Sequence, residues 1–413
     1  MLTLKYRDLM RDAGAAGGGY RWCCIVCGRQ SDELLRNRCA SCDGAMDAIH
    51  DLARVTVHDS HDPLQRYAGL LPVRDPAALR WLGEGNTPCF HAEALGRRLG
   101  LDALYLKDET RNPTRSTKDR MASVALARYT ELGVRELALA STGNSSTAYA
   151  RAARLLSGFL LHIFVGRAFL SRLNYPDHPS VRTYVLDSDF VSAGNAAKRY
   201  AQASHVLFEG GFFNPSRREG LKLAYLEAYD EMPVAPRHVF QAVSSGMGLL
   251  GGYKGALEYQ LLGRLPELPA FVGVQQDTCS PMAAAYADGS AVFSSRYTVP
   301  NPTGLAEAIL RGDPTQAYPY INSICRGTGG RIMSVGTEEI RQARRLLLET
   351  EGLDACYASA TALAGLIAMR RAGDVAPDAP VLVNLTGADR PRGLVPKAVQ
   401  QVGDAPHEPQ ATR

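Results

Sequence analysis

From Gly83 onward the chain alternates short apolar or β-branched runs with stretches of helical period, and no other feature restricts its fold so closely. A strand buried on both faces reads as a continuous apolar run, and a connection long enough to hold a helix returns the next strand parallel to the last. Seven runs read as strands: Leu104–Lys107, Glu136–Ala140, Leu160–Val165, Thr183–Leu186, Val239–Val243, Phe271–Val274 and Val381–Leu385. Between them, Arg120–Leu132, Ala148–Leu156, Ala193–Ala203, Arg218–Asp230, Leu249–Leu261, Glu338–Leu348 and Thr361–Arg371 read as helices. The fold class is therefore α/β, with largely parallel sheets covered by helices. Thr337, ahead of Glu338 and Glu339, supplies an expected cap and an acidic first turn, while Gly133 and Gly158 stand where helices stop.

A chain of 413 residues has room for two or three domains. With 46% hydrophobic and 21% charged residues it is neither disordered, collagenous nor coiled coil. Lys and Arg number 46 against 42 Asp and Glu, a net +4 too mild and dispersed to predict a nucleic-acid or membrane partner, yet compatible with a small anionic substrate. No run of 18 apolar residues occurs, and the first 19 residues lack the pattern of a secretory leader, so a cytoplasmic protein is expected.

Five of the nine cysteines, Cys23, Cys24, Cys27, Cys39 and Cys42, crowd into the first 42 residues. Cys24 and Cys27, then eleven residues, then Cys39 and Cys42 form two tight bites on one tetrahedral ion. Four thiolates leave no open coordination position, so the pattern predicts a structural Zn²⁺ in a ribbon too small to fold alone, with a redox pair or incidental cysteines as the alternatives. Ribbons also serve nucleic-acid binding, and that reading would make the chain a binding protein with an enzyme-like body. The ribbon has few basic residues and no aromatic stripe to support it.

The most informative stretch runs through Gly85-Asn86-Thr87-Pro88, Asn112-Pro113-Thr114, Ser116-Thr117-Lys118-Asp119-Arg120 and Ser141-Thr142-Gly143-Asn144. Lys118 falls at an expected helix start, where outward-pointing N–H groups disfavour a cation and favour the neutral, nucleophilic amine. Alone it reads as a surface lysine; a Ser/Thr-Gly-Asn loop opening the next helix changes that reading. Downstream, Val239–Val243 runs into Ser244-Ser245-Gly246-Met247-Gly248, whose small residues let consecutive N–H groups cradle a phosphate. No histidine forms a ligand or triad pattern, and His162, inside an apolar strand, reads as a satisfied core residue.

Over about residues 80 to 395 these motifs resemble the threonine synthase branch of the pyridoxal-phosphate enzymes of fold type II, some of which also carry an N-terminal ribbon. The resemblance implies two doubly wound αβα domains and pyridoxal 5′-phosphate bound covalently to Lys118. It also implies that Asn144 hydrogen bonds the cofactor's phenolic oxygen, where the bland alternative is a helix N-cap. Ser244, Ser245, Gly246, Met247 and Gly248 would hold the phosphate, and Thr386, after the strand Val381–Leu385, would face the pyridine nitrogen. Ser141, Thr142 and Ser145 would meet the substrate, and Arg217, with Arg218 beside it at a helix start, would bind an anionic leaving group. The expected organisation is a ribbon-like segment at 1–48, the first part of a large cofactor domain at 49–118, a small α/β domain at 119–205, the rest of the large domain at 206–402 and a flexible tail at 403–413. Enzymes of this fold are commonly homodimers.

Within that branch Asn112–Arg120 and Asn301–Pro314 follow threonine synthases, whereas three positions depart from them. Phe212 stands for a serine, Gly248 for a common asparagine, and Cys356–Ser359 for Glu-Pro-Ala-Ser. Glu209–Gly220, Phe240–Gly246 and Asn384–Gly387 instead resemble cysteate synthases, which replace the phosphate of phosphoserine with sulfite. The expectation is a lyase or transferase of amino-acid biosynthesis acting on an O-phospho-L-amino acid, leaning toward β-replacement on O-phosphoserine, with threonine formation from O-phosphohomoserine as the alternative.

Overall fold

The computed structural model describes residues 2–12, 19–188, 190–314, 316–391 and 393–402; the expected flexible tail lies outside the described residues. The strands in chain order are β1 (Tyr20–Cys24), β2 (Met46–His50), β3 (Cys89–His91), β4 (Leu104–Asp108), β5 (Glu136–Ala140), β6 (Leu160–Gly166), β7 (Val181–Leu186), β8 (Leu207–Phe208), β9 (His238–Ala242), β10 (Ala270–Gln276), β11 (Arg331–Val335), β12 (Val381–Leu385) and β13 (Val399–Gln401). They form three sheets: a six-stranded sheet in the order β11-β10-β9-β12-β4-β3, a five-stranded sheet β13-β7-β6-β5-β8 and the hairpin β1-β2. Every pair in the five-stranded sheet is parallel, and in the larger sheet only β3 runs against its neighbour.

All seven expected strands and all seven expected helices are present, the helices as Lys118–Glu131, Asn144–Leu156, Phe190–Ala203, Pro215–Glu231, Met247–Leu261, Thr337–Glu351 and Tyr357–Arg371. Each helix begins one to four residues earlier than expected; at Asn144 the reason is a first turn of small polar residues, Asn144-Ser145-Ser146-Thr147. Gly133 and Gly158 do end their helices, each with φ of +72°. The cap of the Thr337 helix differs from expectation: Gly336 is the N-cap, its N–H donates 2.6 Å to the Glu339 carboxylate, and Thr337 is already helical.

Among the described residues six strands go beyond the seven expected: β3, β8 and β13, of two or three residues, carry no pattern, and β1, β2 and β11, five residues each, lack an apolar run. The short strands β8 and β13 also move the domain limits: Leu207–Phe208 pairs with β5 and Val399–Gln401 with β7, so both ends of the expected 206–402 segment contribute to the smaller sheet. Residues 50–80 join the main body, since Leu64, Tyr67, Leu70, Leu71 and Val73 are buried in the same core as the helices Pro215–Glu231 and Met247–Leu261. The hairpin is docked on that core by charge. Asp47 of β2 is fully buried against Arg218 and Lys254, and Glu219, Lys222, Glu258 and His50 continue the cluster. His50, Glu219 and Glu258 are close enough to hold a metal, but two lysine ammoniums, Lys222 and Lys254, already neutralise the carboxylates. Among the described residues no helix is long and apolar enough to cross a membrane.

Candidate active site

Both large sheets end their strands at one cleft, the place where doubly wound folds bind ligands. Lys118 arrives there because β4 is followed by the turn Glu109–Arg111 and a loop stapled to β12. The Thr117 N–H donates 3.0 Å to the carbonyl of Thr386, and the Ser359 hydroxyl both donates to the Gly387 carbonyl at 2.7 Å and accepts from its N–H at 3.0 Å. Gly387 must stay small, since a Cβ there would lie 2.6 Å from the Arg115 carbonyl oxygen. The end of β12 is thus locked against the start of the Lys118 helix.

A single pocket is lined by Lys118, Ser141, Thr142, Asn144, Ser145, Arg217, Ser244–Gly248 and Thr386, which unites every cofactor and substrate residue expected from the sequence. Lys118 is the first residue of its helix and partly buried. Desolvation, reinforced by the charge of Arg217 and opposed by Glu109, pulls its amine down to about 8. Asn144 is the first helical residue rather than the N-cap; that place belongs to Gly143, at φ +126°. The loop before it is wound around Ser141, whose hydroxyl accepts from the N–H groups of Gly143 at 3.0 Å and Ser146 at 3.1 Å.

The Ser244–Gly248 turn opens the helix Met247–Leu261 with Gly246 at φ +79°, where a Cβ would come 2.4 Å from Ile321. The first N–H groups of a helix have no carbonyl partner within it, so the turn presents donors to an anion. A poised amine, a donor-rich turn closed to side chains and a hydroxyl at the end of β12 suit an aldehyde that carries a phosphate and a ring nitrogen.

Arg217 and Arg218 part company. Arg217 is buried in the pocket wall, ion-paired with Glu209, with its Nη1 3.4 Å from the Ser145 hydroxyl. Glu209 is in turn held by Tyr149 at 2.8 Å and by the Gly211 N–H at 3.0 Å. Arg218 turns the other way, donating 2.7 Å to the Phe212 carbonyl and 2.6 Å to the Met46 carbonyl in the hairpin, so it anchors the ribbon and reaches no anion in the cleft. His162 behaves as read, bonded to Glu136 at 2.8 Å and Tyr184 at 3.0 Å inside the smaller sheet.

Sequence reasoning missed Gln241, Ile309, Leu310, Arg311, Cys356 and Ala358, which also line the pocket. A polar side chain in the otherwise apolar strand Val239–Val243 is the available signal for Gln241, while Arg311 and Cys356 fall in the segments Asn301–Pro314 and Cys356–Ser359, whose likeness to or departure from threonine synthases is the signal there. The other candidate site is the Cys24, Cys27, Cys39 and Cys42 cluster. Its sulfurs lie within 4.8 Å of one another, with Cys24–Cys42 at 3.5 Å and Cys27–Cys39 at 3.7 Å. Tetrahedral zinc with bonds near 2.3 Å needs sulfurs about 3.8 Å apart. Cys23 takes no part: its strand neighbour is Asp47 and its side chain belongs to the main core.

The chain belongs to the pyridoxal-phosphate dependent enzyme family, whose model matches residues 80–387, and it has the α/β architecture of fold type II. Within that family it is similar to threonine synthase from Methanocaldococcus jannaschii, 30% identical over 377 residues that span 88% of this chain and 91% of that protein. Cysteate synthase from Methanosarcina acetivorans is 28% identical over 388 residues, spanning 88% and 90% of the two chains. The crystal structure of threonine synthase from Escherichia coli superposes with a TM-score of 0.64 over 90% of this chain and 93% of that one, at 15% identity, a likeness of fold. The cofactor is pyridoxal phosphate, and a catalytically inactive binding protein gives way to membership of an enzyme family.

Proposed function

We propose that this enzyme eliminates or replaces the phosphate of an O-phospho-L-amino acid, with β-replacement on O-phosphoserine ahead of threonine formation. The observation that carries the proposal is the meeting, in one pocket, of an amine whose affinity for protons is lowered to about 8, a helix N-terminus built for an anion, and a buried arginine. Pyridoxal phosphate, when bound, supplies the electron sink that acidifies the α-carbon of an amino acid. Lys118 would be the residue that anchors the cofactor, and its amine, lowered to about 8, is the base positioned to take a substrate proton. Ser244, Ser245, Gly246, Met247 and Gly248 would hold the cofactor phosphate, Asn144 its phenolic oxygen and Thr386 its ring nitrogen; all of them line the one pocket. A neutral hydroxyl there leaves the ring less protonated than a carboxylate would, which suits elimination better than transamination. Ser141, Thr142 and Ser145 orient the substrate, and Arg217 draws off the departing phosphate.

Threonine formation is the second reading, favoured by the 30% identity to a threonine synthase against 28% to a cysteate synthase. Phosphate release and amino-acid product are measured with O-phosphoserine plus sulfite and, separately, with O-phosphohomoserine. Turnover of O-phosphoserine alone supports the first reading, turnover of O-phosphohomoserine alone establishes the second, and turnover of neither refutes both. We further propose that Cys24, Cys27, Cys39 and Cys42 hold a structural Zn²⁺. Metal analysis is expected to return one zinc per chain, lost in a variant with Cys24 and Cys42 replaced by Ser.

A further inference from the structure

Gln241 lies on β9 one residue before Ala242 ends the strand, and only 7% of it is exposed. Burial of a primary amide costs free energy unless its polar atoms find partners. One partner is clear. Asn384 on the adjacent strand β12 donates from Nδ2 to the Gln241 Oε1 at 3.3 Å. With the amide held that way round, its Nε2 lies on the Gly248 side, and Gln241 is among the residues that line the pocket.

The direction is marked by Gly248, the second residue of the helix Met247–Leu261. A Cβ at Gly248 would stand 2.4 Å from Gln241 Nε2, 3.3 Å from its Cδ and 3.4 Å from its Oε1. The amide nitrogen therefore occupies the space into which a side chain at 248, in the first turn of that helix, would grow. Gly248 is also the position at which the sequence departs from the asparagine common in threonine synthases. Glycine at 248 and glutamine at 241 are thus one steric choice: either residue can place an amide at this corner, and both cannot.

We infer that the Gln241 side-chain amide is a donor to the anion held at the N-terminus of helix Met247–Leu261, supplied from the neighbouring strand in place of a side chain at Gly248. The inference rests on the proposed reading in taking that anion to be the cofactor's phosphate. Gln241 holds the anion and takes no part in proton transfer.

The test compares pyridoxal phosphate with pyridoxal, which has the aldehyde and ring but no phosphate, by spectroscopic titration of the cofactor-free protein. Gln241→Leu keeps the volume and removes the donor. It is expected to raise the Kd for pyridoxal phosphate about tenfold, the worth of one hydrogen bond to a charged group, and to leave the Kd for pyridoxal within about twofold of wild type. Equal weakening of both compounds would mean that the substitution only disturbs packing, and no weakening of either would mean that the amide points elsewhere; each result overturns the inference. A second variant addresses the steric exchange: Gln241→Ala with Gly248→Asn is expected to recover most of the affinity that Gln241→Ala loses, and a double variant no tighter than the single one refutes the substitution of one amide for the other. Binding of inorganic phosphate, followed by ³¹P NMR in wild type and Gln241→Leu, reads the same donor without any aldehyde. Failure of wild type to form a borohydride-trapped adduct on Lys118 would bring down the proposed function, while the phosphate contrast still decides the role of Gln241.

Discussion

Two pairs of near neighbours, Lys118 with Arg120 and Arg217 with Arg218, divide between the pocket and the frame that holds it. Arg120 is fully buried and meets a carboxylate on each side, Glu109 at 2.7 Å and Glu227 at 2.6 Å, with the Thr87 hydroxyl at 3.0 Å. Lys107 joins Glu227 from β4 at 2.9 Å. Arg218 is equally enclosed by Asp47 and two carbonyls. Lys118, by contrast, is raised only by the distant pull of Glu109 and is depressed by desolvation and Arg217. Arg217 has one carboxylate, Glu209, which it shares with Tyr149 and Asn214. Residue type does not separate structural cations from reactive ones; the number of partners does. A buried charge with full pairing resists change of state, whereas one short of partners is available to a ligand or a proton.

The contrast can be broken from either side. Lys118→Ala is expected to lower turnover by at least about a thousandfold and abolish the yellow imine absorbance, while circular dichroism and thermal unfolding stay close to wild type. Retained turnover in that variant would place the cofactor linkage elsewhere. Arg120→Met should do the reverse to stability: it strands Glu109 and Glu227 in the core and is expected to cost about 3–5 kcal/mol in denaturant unfolding. A loss under about 1 kcal/mol would mean the pair is solvated and not a frame element. Smaller again is Arg217→Ala, expected to raise KM for the phosphorylated substrate about ten- to a hundredfold with little change in cofactor affinity. The opposite split, cofactor lost and KM kept, would move Arg217 to the cofactor's side of the pocket.

Much of this arrangement was legible beforehand, and what escaped did so for physical reasons. The buried strands announced themselves through apolar runs, and Lys118, Asn144, the Ser244–Gly248 turn and Thr386 through short polar motifs at the ends of those runs. The helix start at Asn144 was read too late because its first turn, Asn144-Ser145-Ser146-Thr147, is polar and has no 3.6-residue apolar period. Arg218 was misread because adjacent helix residues lie about 100° apart, so one can face the cleft and the next the hairpin. Only the tertiary position of Asp47 reveals which. Gln241 escaped because the residue it meets through its Oε1, Asn384, comes from a strand 143 residues away in the chain.

The finest discrimination between the two kinds of charge comes from pH. Lys118 holds its proton less tightly in the folded chain, near 8, than an ordinary lysine near 10.5 does. Between those values the unfolded chain therefore binds more protons than the native one, and native stability rises with pH, by at most about 1.4 kcal/mol per unit. Below pH 8 the amine is charged in both states and the burden of its burial is at its greatest; above 10.5 it is neutral in both and the burden is gone. Tyrosines and cysteines also titrate in this window, so the informative quantity is the difference between wild type and Lys118→Met, each free of cofactor. That difference should favour Lys118→Met below pH 8 and shrink steadily toward pH 10.5. Parallel stability curves would show that the amine ionises as it does in solvent, and the division between poised and paired cations would then fail at the residue on which it most depends.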